Sequence, residues 1–173
     1  MRIIGGSKRG AKIQALQGRE TRPTLDRVRE NIFNIIQNQI GDATVLDLFA
    51  GSGALGCEAI SRGAEWVLFN DSNREAIAMV KENTQKLGFE KQAVLWQLDW
   101  RTALKKLLHD GTKFDIVLLD APYHNEYMKE CIQECHKVLT KDGIIVVEHD
   151  ENMVFAEVTP RKYGKVRVSV FGK

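Results

Sequence analysis

Short, near-continuous apolar runs recur along the chain. They alternate with segments whose apolar positions fall every three or four residues. The runs at 44–49, 65–69, 93–98, 114–119 and 144–147 predict strands buried on both faces. Between them, 54–62, 72–87, 102–108 and 126–139 predict helices. Gly63 stops the first helix. Ser72 and Glu75 read as a capping-box pair opening the second, and Gly88 sits at its C-terminal end. A turn at 141–143 precedes the last run. A further helix, opened by Thr24 and running to about residue 39, carries Val28, Ile32, Ile35 and Ile36 on its apolar face. The tail, 165–171, alternates polar and apolar, as an antiparallel edge strand does. Strands alternating with helices predict an α/β fold: a doubly wound, mostly parallel sheet covered on both faces, with an antiparallel C-terminal edge strand. Such sheets bind ligands beyond the carboxyl ends of their strands. The residues just after each run are therefore where chemistry is sought.

Composition narrows the class without changing this picture. With 173 residues, 43% hydrophobic and 28% charged, the chain has the size and make-up of one folded domain. It has no apolar stretch of about 18 residues, and its first ten residues lack the apolar core of a secretory signal. A cytoplasmic protein away from membranes is expected. Cys57, Cys131 and Cys135 are an odd number, which disfavours a disulfide framework. Cys131 and Cys135 share a helical apolar stripe with Tyr127 and Val138, so they read as small hydrophobes and no metal site is expected. Charge is uneven. Residues 1–30 hold eight Lys/Arg against three acids and residues 160–173 hold five basics and no acid, while the middle is acidic. Basic ends suit a polyanionic partner. Residues 1–24 read as a basic N-terminal arm and 25–173 as the domain.

The first strand runs into Asp47-Leu-Phe49-Ala-Gly51-Ser52-Gly53-Ala-Leu-Gly56. Its three glycines fit G-x-G-x-x-G, where a backbone turns tightly and approaches a ligand closely. Asp71 follows the second strand, placed to accept from ribose hydroxyls. A dinucleotide or S-adenosylmethionine would meet these needs. Asp47, four residues before the first glycine, would repel a pyrophosphate and attract an ammonium and a sulfonium. Asp99 ends the third strand, where it can hydrogen-bond an adenine amino group. The fourth strand ends Asp120-Ala121-Pro122-Tyr123, a tetrad that hydride transfer does not need. These features favour S-adenosylmethionine, with Asp47, Phe49, Gly51, Ser52, Gly53, Asp71, Asp99 and Asp120 as candidate cofactor-binding residues. His124 adjoins the tetrad. His109, His136 and His149 are expected at the surface or at helix ends, and no histidine is given a catalytic role.

Residues 47–56, Asp71, Asp99 and the tetrad at 120–123 resemble those of class I S-adenosylmethionine-dependent methyltransferases with a Rossmann-like fold. The start, Met-Arg-Ile-Ile-Gly-Gly, and the segment 21–34 narrow the resemblance to the RsmD family, which methylates guanine N2 in bacterial 16S ribosomal RNA. The likeness covers nearly the whole chain. It implies an rRNA (guanine-N2-)-methyltransferase that meets 16S rRNA or the assembling small subunit, and a monomer is expected. It also implies that Asp120 and the carbonyl of residue 121 hold the target amino group and that Tyr123 stacks on the base. The family usually has Pro where Ala121 stands. Any residue supplies the carbonyl, and Pro122 still biases Ala121 towards extended geometry. Arg22, Arg27 and Arg29, set around the Arg-Pro-Thr turn, are candidate RNA-phosphate contacts. The same tetrad also serves methylation of adenine N6 or of a protein glutamine. A non-catalytic binding protein is the alternative of another class, but it would have no use for all four acids.

Overall fold

The computed structural model describes residues 1–15, 23–121 and 127–172. Seven strands form one sheet in the order β3-β2-β1-β4-β5-β7-β6. These are β1 (Thr44–Asp47), β2 (Trp66–Asn70), β3 (Ala93–Trp96), β4 (Phe114–Leu119), β5 (Leu139–Asp150), β6 (Arg161–Tyr163) and β7 (Val166–Gly172). The first five are parallel. β7 is antiparallel to β5, as the alternation in the tail predicts, and a short β6 covers its outer edge. The unpredicted β6 has three residues, two of them exposed, too few to print a pattern.

Alternation along the central strands divides the core. Val45, Val67, Phe69, Ile116, Leu118, Ile144 and Val146 face one layer, with α1 (Pro23–Ile35), α2 (Ala54–Ser61) and α3 (Arg74–Leu87). Leu46, Leu68, Val117, Leu119, Ile145 and Val147 face the other, with α4 (Trp100–Asp110) and α5 (Met128–His136). Cys131 and Cys135 are buried within α5. Val28, Ile32 and Ile36 are buried as expected, joined by Phe33. Among the described residues no helix is long and apolar enough to cross a membrane.

Several local expectations need correction. Asn73, not Ser72, caps α3, its side chain accepting from the Glu75 N–H. The 141–143 segment is no free turn; it bulges within β5, because Phe114 pairs Leu139 while Ile116 pairs Ile144. Asp115, opposite the bulge, accepts from Thr140 Oγ1 and from both N and Oγ1 of Thr44. His149, expected at the surface, is 2% exposed. Its ring contacts Ser169 Oγ at 2.9 Å and Phe155 edge-on, and burial pushes its pKa down.

The first fifteen residues are part of the fold rather than a loose arm. Arg2 and Lys12 form an antiparallel bridge, and Ile3 and Ile13 are buried in the α1–α3 layer. Glu58 of α2, 0% exposed, accepts from the N–H groups of Ile4 and Gly5 at 2.8 Å each. Ser61 accepts from Lys8 N and donates to Gly5 O. Farther along, Asn83 exchanges two hydrogen bonds with the backbone of Gln14.

Candidate active site

The chain winds from β1 outward through β2 to β3, then returns to place β4 on the other side of β1. At this switch point the loops part and leave a crevice. A cavity of about 700 Å³ opens there, within the range of small-molecule sites. Phe49 and Gly51 after β1, Asp71 after β2, Asp99 after β3 and Asp120 after β4 all line it.

The turn after β1 is held from both sides. Asp47 Oδ2 accepts from the Gly56 N–H at 3.0 Å, and Asp71 accepts from the N–H groups of Gly51 and Asn73, both at 2.9 Å. Gly53 has φ 77°, in the left-handed region. Gly56 has a second reason to be glycine, since a Cβ there would lie 2.2 Å from the Phe69 ring. Ser52 and Gly53 shape this turn and do not line the cavity; the Ser52 carbonyl accepts from Asn83.

Asp47, also named among the cofactor-binding candidates, lies beneath the turn and off the cavity wall, 1% exposed, and its Oδ1 has no hydrogen-bond partner. Burial pushes its pKa up to about 7, and the nearby charges of Asp120 and Asp71 add to the rise. An orphaned carboxylate oxygen among other acids favours a cationic ligand over a pyrophosphate. This fits S-adenosylmethionine, with its ammonium and sulfonium. Asp71 and Asp99 accept backbone N–H groups and line the cavity with further lone pairs to offer. Asp99 also caps α4, accepting from the Arg101 N–H.

Other groups of the site escape sequence reasoning. Asn70, the last residue of β2, donates to the carbonyls of Leu48 and Leu98, tying the β1 and β3 ends together. Its polar side chain closing an apolar run was a legible signal. Trp100 and Tyr127 stack at 5.5 Å and wall the cavity, with Arg101 over Trp100 at 4.3 Å. Tyr127, expected within the 126–139 helix, stands one residue before α5.

Of the tetrad, Asp120 and the buried Ala121 are described; Pro122 and Tyr123, like His124 and Arg22, lie outside the described residues. Arg27 is exposed on α1. Arg29 cannot stay among the RNA contacts. It is 4% exposed, its guanidinium donates to the Arg2 carbonyl and to Asp26, and it lies 3.8 Å from Glu58. It shares the buried Glu58 carboxylate with Arg62, whose Nε lies 2.7 Å from it, and is turned away from solvent.

Acids at the ends of four adjacent parallel strands, around a glycine turn that leads into a helix, set the chain apart from dinucleotide enzymes. Together with the sheet order they define a class I methyltransferase fold that uses S-adenosylmethionine. The pattern of the family described as Conserved hypothetical protein 95 matches residues 1–172, and the chain belongs to that family. YlbH of Bacillus subtilis is 40% identical over 182 residues, covering 100% of this chain and 99% of its own. Ribosomal RNA small subunit methyltransferase D of Haemophilus influenzae is 33% identical over 178 residues, covering 99% and 89%. The solved structure of Escherichia coli yhhF is similar with a TM-score of 0.84 at 33% identity, over 100% of this chain and 97% of that one.

Proposed function

We propose that the protein transfers a methyl group from S-adenosylmethionine to the exocyclic N2 amino group of a guanine in 16S ribosomal RNA, acting as a cytoplasmic monomer on the assembling small subunit. The observation that carries this reading is Asp120. It stands at the switch point, lining the same cavity as Asp71 and Asp99, with the Ala121 carbonyl one residue on. Likeness to a small-subunit rRNA methyltransferase over almost the whole chain supports the substrate class.

S-adenosylmethionine supplies, when bound, a methyl group on a sulfonium, an electrophile that needs no metal. The difficulty lies with the nucleophile. The lone pair of an aryl amino group is delocalised into the ring. Asp120 and the Ala121 carbonyl accept one N–H each, which favours a pyramidal nitrogen with its lone pair turned out of the ring plane. Positioning of this kind can supply several kcal/mol of the barrier. Asp120 is also the site's base for the proton that the nitrogen sheds. Asp71 and Asp99 hold the nucleoside part of the cofactor. Tyr123 stacks on the flipped base, worth about 1–3 kcal/mol. Arg22, Arg27 and the exposed basic side chains of residues 1–15 meet phosphates.

The test uses labelled cofactor and small subunits from cells lacking the enzyme, followed by digestion to nucleosides. N2-methylguanosine is expected. Asp120→Ala should lose transfer while still being stabilised by S-adenosylhomocysteine. N6-methyladenosine as product, or near-normal turnover of the variant, would overturn the reading.

A further inference from the structure

Glu148 on β5 is 7% exposed, a carboxylate placed straight after the buried run Ile144–Val147. Burying a carboxylate is costly, so its presence asks for a reason. β4 and β5 run parallel with Leu119 opposite Val147, and one step further the register sets Glu148 beside Asp120. Ile144 and Val146 face the α1–α3 layer, and strand alternation sends Glu148 to that same face. Asp47 also points there, because its neighbours Leu46 and Leu48 pack on the opposite face. Glu148 does not line the cofactor cavity. The strand order explains why: β1, β2 and β3 carry the cofactor side, Asp120 ends β4, and β5 lies beyond it. A base whose amino group meets Asp120 and points towards the cofactor carries its ring away from β1–β3 and towards β5, where either N1 or N3 can face that strand.

We propose that Glu148 accepts the N1–H of the target guanine and so selects guanine over adenine at this site. The inference rests on the guanine-N2 reading above. Guanine presents N1–H and the N2 amino group as adjacent donors, whereas adenine presents a lone pair at N1 beside its amino group. With Asp120 and the Ala121 carbonyl on the amino hydrogens, N1–H is the remaining donor on that edge. A carboxylate accepts it from guanine and repels the N1 lone pair of adenine. Glu148 already takes part in an interaction in the free protein, which entry of the base exchanges for N1–H.

The experiment compares guanosine with 2-aminopurine riboside as inhibitors of methyl transfer to small subunits. The second nucleoside keeps the 2-amino group but has a lone pair at N1. The parent enzyme should favour guanosine by about 10- to 100-fold, the discrimination that one well-made polar contact to a base gives. Glu148→Gln should lose or reverse that preference, because its amide can donate to N1, while stabilisation by S-adenosylhomocysteine stays at the parent level. Glu148→Asp, which keeps the acceptor, should keep the preference at a reduced rate. A Glu148→Gln enzyme that is slower but still prefers guanosine makes Glu148 a structural residue and overturns the inference. If neither variant folds, the parent decides: equal inhibition by the two nucleosides overturns it. If the parent produces no N2-methylguanosine, the underlying reading fails first, and the product analysis shows this separately.

Discussion

Asp47 sets a binding requirement against stability. Its carboxyl, pushed from an ordinary 3.8 to about 7, binds a proton more tightly in the folded chain than in the unfolded one. The contribution to stability is therefore complete below about pH 4 and is lost as pH rises through 7. At about 1.4 kcal/mol per pH unit over that interval, the ionised group costs the fold ~4 kcal/mol at pH 8 and ~2 kcal/mol at pH 5. Asp47→Asn removes this charge and keeps an acceptor for the Gly56 N–H, but it leaves an amide N–H₂ where Oδ1 has no partner. That unmet donor takes back ~1–3 kcal/mol. The free variant should be more stable than the parent by ~1–3 kcal/mol at pH 8, a rise of several degrees in Tm for a domain of this size. The gain should vanish or change sign by pH 5. Cofactor binding should move the other way. A cation in the cavity favours the ionised carboxyl, so parent affinity for S-adenosylmethionine should weaken as pH falls below 7, and Asp47→Asn should bind about 10- to 100-fold more weakly at pH 8. Thermal melts at several pH values, with and without the cofactor, measure both effects. A variant less stable than the parent by the same amount at pH 5 and pH 8 would refute the reasoning, since the carboxylate would then be a plain structural acceptor.

The arginines should separate cleanly. Arg29→Ala removes a guanidinium that the buried Glu58 shares with Arg62 and takes a donor from the Arg2 carbonyl and from Asp26, so it should cost ~1–3 kcal/mol in denaturant unfolding. Arg27→Ala should leave stability within about 0.5 kcal/mol and lower the salt slope of RNA binding by about one unit; an unchanged slope would remove Arg27 from the interface. Gly56→Ala drives a methyl into the Phe69 ring, so a loss of ~1–3 kcal/mol and weaker cofactor binding are expected, and a variant indistinguishable in melting and titration would contradict the packing.

What could be read along the chain followed from periodicity and its limits. β1, β2, β4 and β5 announced themselves because burial on both faces leaves them apolar; β3, equally apolar in sequence, is instead an edge strand with Val94 43% exposed, and the acids that end these strands stood out against that background. Asn70 and Glu148 terminate equally apolar runs, but neither belongs to a spacing motif. The arginines show the opposite failure. Arg22, Arg27 and Arg29 are alike in sequence, but Arg29 lies two positions from Arg27 on a helix and points inward to a carboxylate 29 residues away. No local pattern carries a pairing of that range. The same holds for residues 1–15, whose charges mark a basic arm but do not reveal that Ile3, Ile13 and the Glu58 carboxylate hold it against the domain. Asn73 took the cap from Ser72 because residues of both types cap helices and only backbone geometry decides between neighbours.

That docking has a consequence for how the chain is made. The partners of the first residues lie far downstream: Glu58 is 54 positions from Ile4, Ser61 is 53 from Lys8, and Asn83 is 69 from Gln14. During synthesis residues 1–15 emerge ahead of α2 and α3 and stay undocked, rich in positive charge, until both have followed. Its attachment is thus a late event in folding, dominated by long-range contacts that form slowly. Asn83 closes the sequence, because the side chain that fastens Gln14 also holds the Ser52 carbonyl of the glycine turn. One side chain thus fastens both the cofactor turn and the end of the docked N-terminal segment.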